Sequence, residues 1–94
     1  MMKYTLEFSP QAISDIDSYK RGGEKALLKK FWRLAGELTE HPRTGTGQVE
    51  RLKHYQYPDT WSRRLSDKHR IIYEIHDDVV KIRLIAAKEH YADK

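Results

Sequence analysis

The sequence predicts an α+β domain in which two helices cover one face of a mostly antiparallel sheet. Three observations carry that expectation. The chain opens on an alternating apolar segment, two stretches of helical periodicity follow, and strand-like periodicity fills the second half. The predicted order is β-α-α-β-β-β(β), in one domain spanning residues 1–94.

The first element is Lys3 to Phe8, where Tyr4, Leu6 and Phe8 alternate with Lys3, Thr5 and Glu7 as in a half-buried strand. Ser9-Pro10 reads as helix cap and first helical residue, with Ile13, Ile16 and Tyr19 following at helical spacing. Gly22-Gly23 ends that helix. A second helix is expected from about Glu24 to Glu40, with Leu27, Leu28, Phe31, Leu34, Ala35 and Leu38 on one stripe. Lys25, Lys29, Lys30, Arg33 and Glu37 fall mainly on its other side, and His41-Pro42 stops it.

Arg43-Thr44-Gly45-Thr46-Gly47 is a loop by composition, too short and irregular for a phosphate-binding fingerprint. Beyond it the period changes. Val49 to Leu52 reads as a short strand, Tyr55 to Thr60 as a loop containing Pro58, and Trp61 to Ser66 as a strand. Asp67-Lys68-His69 is a turn, Arg70 to Ile75 a strand, Asp77-Asp78 a second turn, and Val79 to Ala87 the last strand.

The helix stripes are expected to bury Ile13, Ile16, Leu27, Phe31, Leu34 and Leu38 against Tyr4, Leu6, Phe8 and one face of the later strands. No second layer is available for the other sheet face, so that face should be polar, and a site belongs there. Strand parity sets Ile71, Tyr73 and Ile75 on one side and Arg70, Ile72 and Glu74 on the other. Trp61, Arg63 and Leu65 likewise oppose Ser62, Arg64 and Ser66. With Trp61 and Leu65 in the core, Arg64 and Arg70 point to the open face, and Arg63 needs a snorkelling position at the edge or a bulge.

Composition narrows the class. The 94 residues contain no cysteine, which excludes disulfides and cysteine-based metal or redox sites. No apolar run approaches the roughly 20 residues of a membrane span, and the first residues lack the apolar core of a signal peptide. A soluble, cytoplasmic domain is expected. Net charge is +4, and all of it lies in residues 51–70, where six cations face two acids; the remaining residues are balanced at twelve of each. Tyr55, Tyr57 and Trp61 are interleaved with those cations, a combination that suits a polyanion with bases to stack, such as single-stranded RNA.

Cleaving RNA without a metal requires a base for the ribose 2′-hydroxyl, cations for the phosphorane and an acid for the departing 5′-oxygen. Glu50, an arginine pair and the histidine of Lys88-Glu89-His90-Tyr91 would supply these roles if one open face assembled them. Taken singly, each is an ordinary surface residue. The five histidines, His41, His54, His69, His76 and His90, include no pair at ligand spacing, so no metal or cofactor is expected. No nucleophile elbow, Walker or dinucleotide glycine pattern occurs.

Gly45-Thr46-Gly47-Gln48-Val49-Glu50-Arg51-Leu52-Lys53-His54, Trp61-Ser62-Arg63-Arg64, Asp67-Lys68-His69-Arg70-Ile71-Ile72-Tyr73 and His90-Tyr91 together closely resemble the YoeB/Txe family, toxins of type II toxin–antitoxin systems in the RelE-like superfamily. The resemblance implies a RelE-like, microbial-RNase-like fold and a ribosome-dependent endoribonuclease that cuts mRNA in the A site. Carried over by position, it implies Glu50 as general base, His90 as general acid and Arg70 as the main phosphate-stabilising cation. Lys53 and Arg64 would assist, with Arg63 the alternative to Arg64, and Tyr91 would position the substrate. The implied partners are the ribosome, mRNA and an antitoxin of the YefM/Phd type, and relatives often form homodimers. This chain departs from the family pattern in Gln48-Val49 before Glu50, Arg51 after it, and a continuation to Ala92-Asp93-Lys94. Two further readings use the same residues differently: a toxin of this fold that inhibits DNA gyrase by binding, and a non-catalytic RNA- or ribosome-binding module.

Overall fold

The computed structural model describes residues 3–88. The elements are β1 (Thr5–Phe8), α1 (Pro10–Arg21), α2 (Lys25–Leu38), β2 (Glu50–Arg51), β3 (Thr60–Arg64), β4 (Arg70–His76) and β5 (Lys81–Ala86), with a 3-10 turn at Asp77–Val79. They form one five-stranded sheet in the order β1-β5-β4-β3-β2. β1 runs parallel to β5, and every other pair is antiparallel.

Local chemistry accounts for the helix boundaries. Ser9 is extended, and its hydroxyl accepts from the Ala12 N–H at 3.0 Å while donating to the Ile85 carbonyl at 2.8 Å. One side chain therefore caps α1 and ties it to the sheet. Pro10 follows at the first turn, where its missing N–H costs nothing. Gly23 takes a left-handed φ of 71° between the helices, a conformation glycine adopts without strain. The second helix contains the whole apolar stripe but is shorter at both ends than the expected Glu24 to Glu40, with Glu24 and Thr39 flanking it as caps.

Both helices pack on one sheet face, where Ala12, Ile16, Tyr19, Phe31, Leu34, Ala35 and Leu38 meet Leu65, Ile71, Tyr73, Ile75, Ile82 and Leu84. Ile13 departs from the expected core and is 57% exposed. The buried stripe of α1 is Ala12, Asp15, Ile16 and Tyr19, which turns Ile13 outward, where it lines a surface groove together with Trp32 of α2. Asp15 is buried for a different reason: its carboxylate accepts from the Ala87 N–H at 2.9 Å. The Tyr19 hydroxyl donates to the Ala87 carbonyl, so α1 holds both polar groups of the residue that follows β5.

Candidate active site

The face away from the helices carries the candidate residues Glu50, Arg64 and Arg70. Register aligns Glu50 with Ser62, Ser62 with Ile72, and Ile72 with Ala86, making one row across four strands. One step along the same face, Arg64 stands opposite Arg70. Like charges directly opposed on a sheet repel each other, and an anion between them removes that penalty.

Arg70 is fixed from three sides. Its Nε donates to the Ser62 hydroxyl at 3.1 Å, and Nη2 donates to the Gln48 carbonyl at 3.2 Å. The same Nη2 lies 3.6 Å from Glu50 Oε1, with the arginine side chain 17% exposed and the glutamate 66% exposed. A held guanidinium thus sits beside an accessible carboxylate. Arg64 projects from β3 into solvent. Lys53 is also exposed, in the segment that leaves β2 at the sheet edge.

The backbone entering β2 is unusual. Gln48 has a φ of 51°, which a side chain rarely adopts, and in that conformation its carbonyl serves Arg70. The loop before it is clamped in place. A Cβ on Gly45 would lie 2.7 Å from Glu37 Oε1, and one on Gly47 would lie 2.7 Å from the Arg64 carbonyl. The Glu37 carboxylate also accepts from the Thr46 N–H at 2.9 Å, and the Arg64 N–H donates to the Gly47 carbonyl at 2.5 Å. The Gly-Thr-Gly motif is therefore the close approach of a loop to β3.

Arg63 is a correction. It was a candidate for substrate binding, but it lies on the helix side of β3 with no exposed surface. Its Nη1 donates to Glu37 at 2.5 Å, and its Nη2 donates to the carbonyls of His41 at 2.9 Å and Thr44 at 2.8 Å. The charge neither snorkels nor sits on a bulge, because a carboxylate from α2 meets it inside. Of the two neighbouring arginines, Arg64 is the one available to a phosphate.

Glu50, Arg64 and Arg70 are thus brought together, with Lys53 at the adjoining edge. His90 and Tyr91 lie outside the described residues. Ser62 and Gln48, which hold Arg70, were not anticipated as functional. Parity did put Ser62 on the site face, whereas nothing in a glutamine side chain signals the use of its carbonyl. Among the described residues no group of three His, Asp or Glu side chains is arranged to hold a metal. Among them, too, no helix is long and apolar enough to cross a membrane.

The model of the YoeB-like toxin of bacterial type II toxin–antitoxin systems matches residues 8–91. Toxin YoeB of Mycobacterium bovis is 30% identical over 87 residues, covering 93% of this chain and 98% of that protein. The chain belongs to the YoeB toxin family. Two structures of YoeB from Staphylococcus aureus, a dimer and a YoeB–YefM complex, are each 29% identical and cover 95% of this chain and 99% of theirs. Their TM-scores are 0.80 and 0.76. The α+β sheet with two helices on one face is accordingly the RelE-like fold of YoeB toxins.

Proposed function

We propose that this toxin is an endoribonuclease that cleaves mRNA in the ribosomal A site and so arrests translation. The observation that carries the reading is the exposed Glu50 carboxylate 3.6 Å from a guanidinium that Ser62 and Gln48 hold still, with Arg64 in register beside it. Glu50 takes the proton of the ribose 2′-hydroxyl, whose oxygen attacks the adjacent phosphorus. Arg70 and Arg64 stabilise the charge that grows on the phosphorane, and Lys53 assists. His90 protonates the departing 5′-oxygen, and Tyr91 positions the nucleotide; both roles rest on the family resemblance. The products are a 2′,3′-cyclic phosphate and a 5′-hydroxyl, and the chemistry calls for no metal or cofactor.

The partner that restrains this activity is an antitoxin of the YefM type, as in the Staphylococcus aureus complex, and the toxin pairs with a second copy as in the dimer from the same organism. The net positive charge of residues 51–70 favours an acidic antitoxin segment that folds on binding. Mapping mRNA cleavage during in-vitro translation tests the function, using wild-type protein, Arg70→Ala and His90→Ala. Cuts within the A-site codon that need ribosomes and vanish in both variants are expected. Intact mRNA with translation unaffected would exclude the nuclease and move attention to a binding target such as gyrase.

A further inference from the structure

Strand β4 presents alternate side chains to the open face, so Glu74 and His76 share that face with Arg70. Glu74 stands about 13 Å along the strand from Arg70, in a different chemical setting. His76 Nε2 donates to Glu74 Oε1 at 2.8 Å, and each of the two side chains is 21% exposed. The Tyr57 ring stacks on the His76 ring, with centres 4.1 Å apart and planes 28° from parallel. The loop that brings Tyr57 there is fastened. The Thr60 hydroxyl donates to the Tyr57 carbonyl at 2.5 Å, and the Arg51 guanidinium donates to the Pro58 carbonyl.

No arginine neutralises Glu74 among the described residues. Register sets Arg83 of β5 opposite it, but Arg83 Nε lies 3.4 Å from Glu7 Oε1, and Lys81 Nζ is equally close to that oxygen. Among the described residues no hydrogen bond or ion pair besides that with His76 reaches Glu74. Its Oε2 is therefore left to accept. The surroundings are anionic: burial, followed by the charges of Asp78, Asp59, Glu74 and Asp77, pushes the Tyr57 phenol above 10.0. A phosphate is repelled here, so this end of the face does not continue the contacts offered by Arg64 and Arg70.

We infer that Glu74 reads a guanine of the bound RNA, in a base pocket formed with the Tyr57–His76 stack. The Watson–Crick edge of guanine presents two neighbouring donors, N1–H and the N2 amino group, and an ionised carboxylate offers acceptors alone. Adenine and cytosine set an acceptor beside their amino group, and uracil has one donor between two acceptors. The stacked rings supply affinity for any base, and the carboxylate supplies the choice. Glu74 is thus a specificity residue, separate from the groups that do the chemistry. The assignment deepens the ribonuclease reading and rests on it.

The test measures binding of short 2′-O-methyl RNAs, which cannot be cleaved. Each is a uridine strand with a single guanine, inosine or adenine at its centre, and inosine lacks the N2 amino group. Wild type should hold the guanine strand about tenfold more tightly than the adenine strand, with inosine between them. Glu74→Gln should level guanine and adenine to within about twofold, because its amide sets a donor against a donor. Tyr57→Ala should weaken all three strands alike, by at least about fivefold, and keep their order. Each ratio is taken within one variant, so a partly unfolded sample cannot imitate a change of order. A guanine preference that survives Glu74→Gln overturns the assignment. So does wild type that binds all three strands equally, which points instead to a basic side chain of a protein partner at Glu74. Absence of binding by wild type overturns it as well, and the cleavage map during translation decides the nuclease reading separately.

Discussion

Arg63 and Glu37 join β3 to α2 through an ion pair at 2.5 Å, with the arginine side chain wholly buried and the glutamate 30% exposed. The same guanidinium holds the carbonyls of His41 and Thr44 and lies 5.9 Å from the Tyr73 ring centre. It is the post around which the 41–47 loop is wound, and that loop leads directly to Gln48 and Glu50. Two successive arginines thus act on opposite faces, Arg63 building the loop and Arg64 meeting the solvent.

Removing one partner of that pair strands the other. Glu37→Ala should destabilise the fold by roughly 3 kcal/mol, because an uncompensated buried charge is left behind. For a domain of this size that is a fall in melting temperature of about 12–24 °C. Arg64→Ala, on the open face, should change stability by less than about 0.5 kcal/mol while weakening RNA binding. Urea unfolding of both variants checks the contrast, and equal losses would refute this division of roles.

Gly47→Ala should damage fold and activity together. Gly47 has a φ of 97°, and a Cβ there would lie 2.7 Å from the Arg64 carbonyl and 2.8 Å from Arg63 Cγ. Relief requires the loop to move off β3, taking with it the Gln48 carbonyl that steadies Arg70. A loss of about 2 kcal/mol or more is expected from overpacking and backbone strain combined. Gly36→Ala is the control, since a Cβ there meets nothing within 4 Å and alanine favours the helix. Thermal melts should separate the two by at least about 8 °C.

Most of this architecture was legible in the sequence, because periodicity and parity act through short stretches of chain. The Ser9-Pro10 cap, the order of elements along the chain and the outward aim of Arg64 and Arg70 follow from local rules, whereas the parallel pairing of β1 with β5 does not. What escaped involved partners distant along the chain. Arg63 fits parity as a core residue, but only the arrival of Glu37 from 26 residues away makes a buried guanidinium tolerable. Ile13 fits helical spacing equally well on either side of a narrow stripe, and the docking angle of α1 decides against it. Gln48 acts through its backbone, which leaves no mark on side-chain identity.

The Tyr4–Asp77 contact gives stability a defined pH window. The Tyr4 hydroxyl donates to Asp77 Oδ1 at 2.5 Å, and Arg43 donates to Asp77 Oδ2 at 2.9 Å. Hydrogen bonds from Tyr4 and Arg43 hold the Asp77 carboxyl below its usual 3.8, while the bond to Asp77 pushes the Tyr4 phenol above 10.0. For the depressed acid, the contribution is complete above 3.8 and is lost as pH falls through the lower folded value. For the raised phenol, it is complete below 10.0 and is lost as pH rises through the higher folded value. The stability gap between wild type and Tyr4→Phe should therefore be flat from about pH 5 to 9 and narrow at both extremes. Its plateau should not exceed about 1 kcal/mol, since solvent screens the pair. A gap that widens in acid would contradict this assignment.

The grip of α1 on Ala87 should bear on the proposed catalysis from a distance. Asp15 takes the Ala87 N–H at 2.9 Å and Tyr19 gives its hydroxyl proton to the Ala87 carbonyl, both side chains being buried. Three residues later the chain reaches His90, the proposed general acid, so this clamp fixes the point from which the acid-bearing segment departs. Tyr19→Phe leaves the Ala87 carbonyl without that donor and should cost about 1–2 kcal/mol. A displacement of about 1 Å in a reacting group can cost on the order of a hundredfold in rate, so single-turnover cleavage should slow by about tenfold or more. RNA affinity should hold, because Arg64 and Arg70 stand on other strands. Measuring cleavage rate and binding on the same variant separates the effects. A slower rate at unchanged affinity identifies Tyr19 as a positioning residue, whereas an unchanged rate with lower stability confines the clamp to the fold.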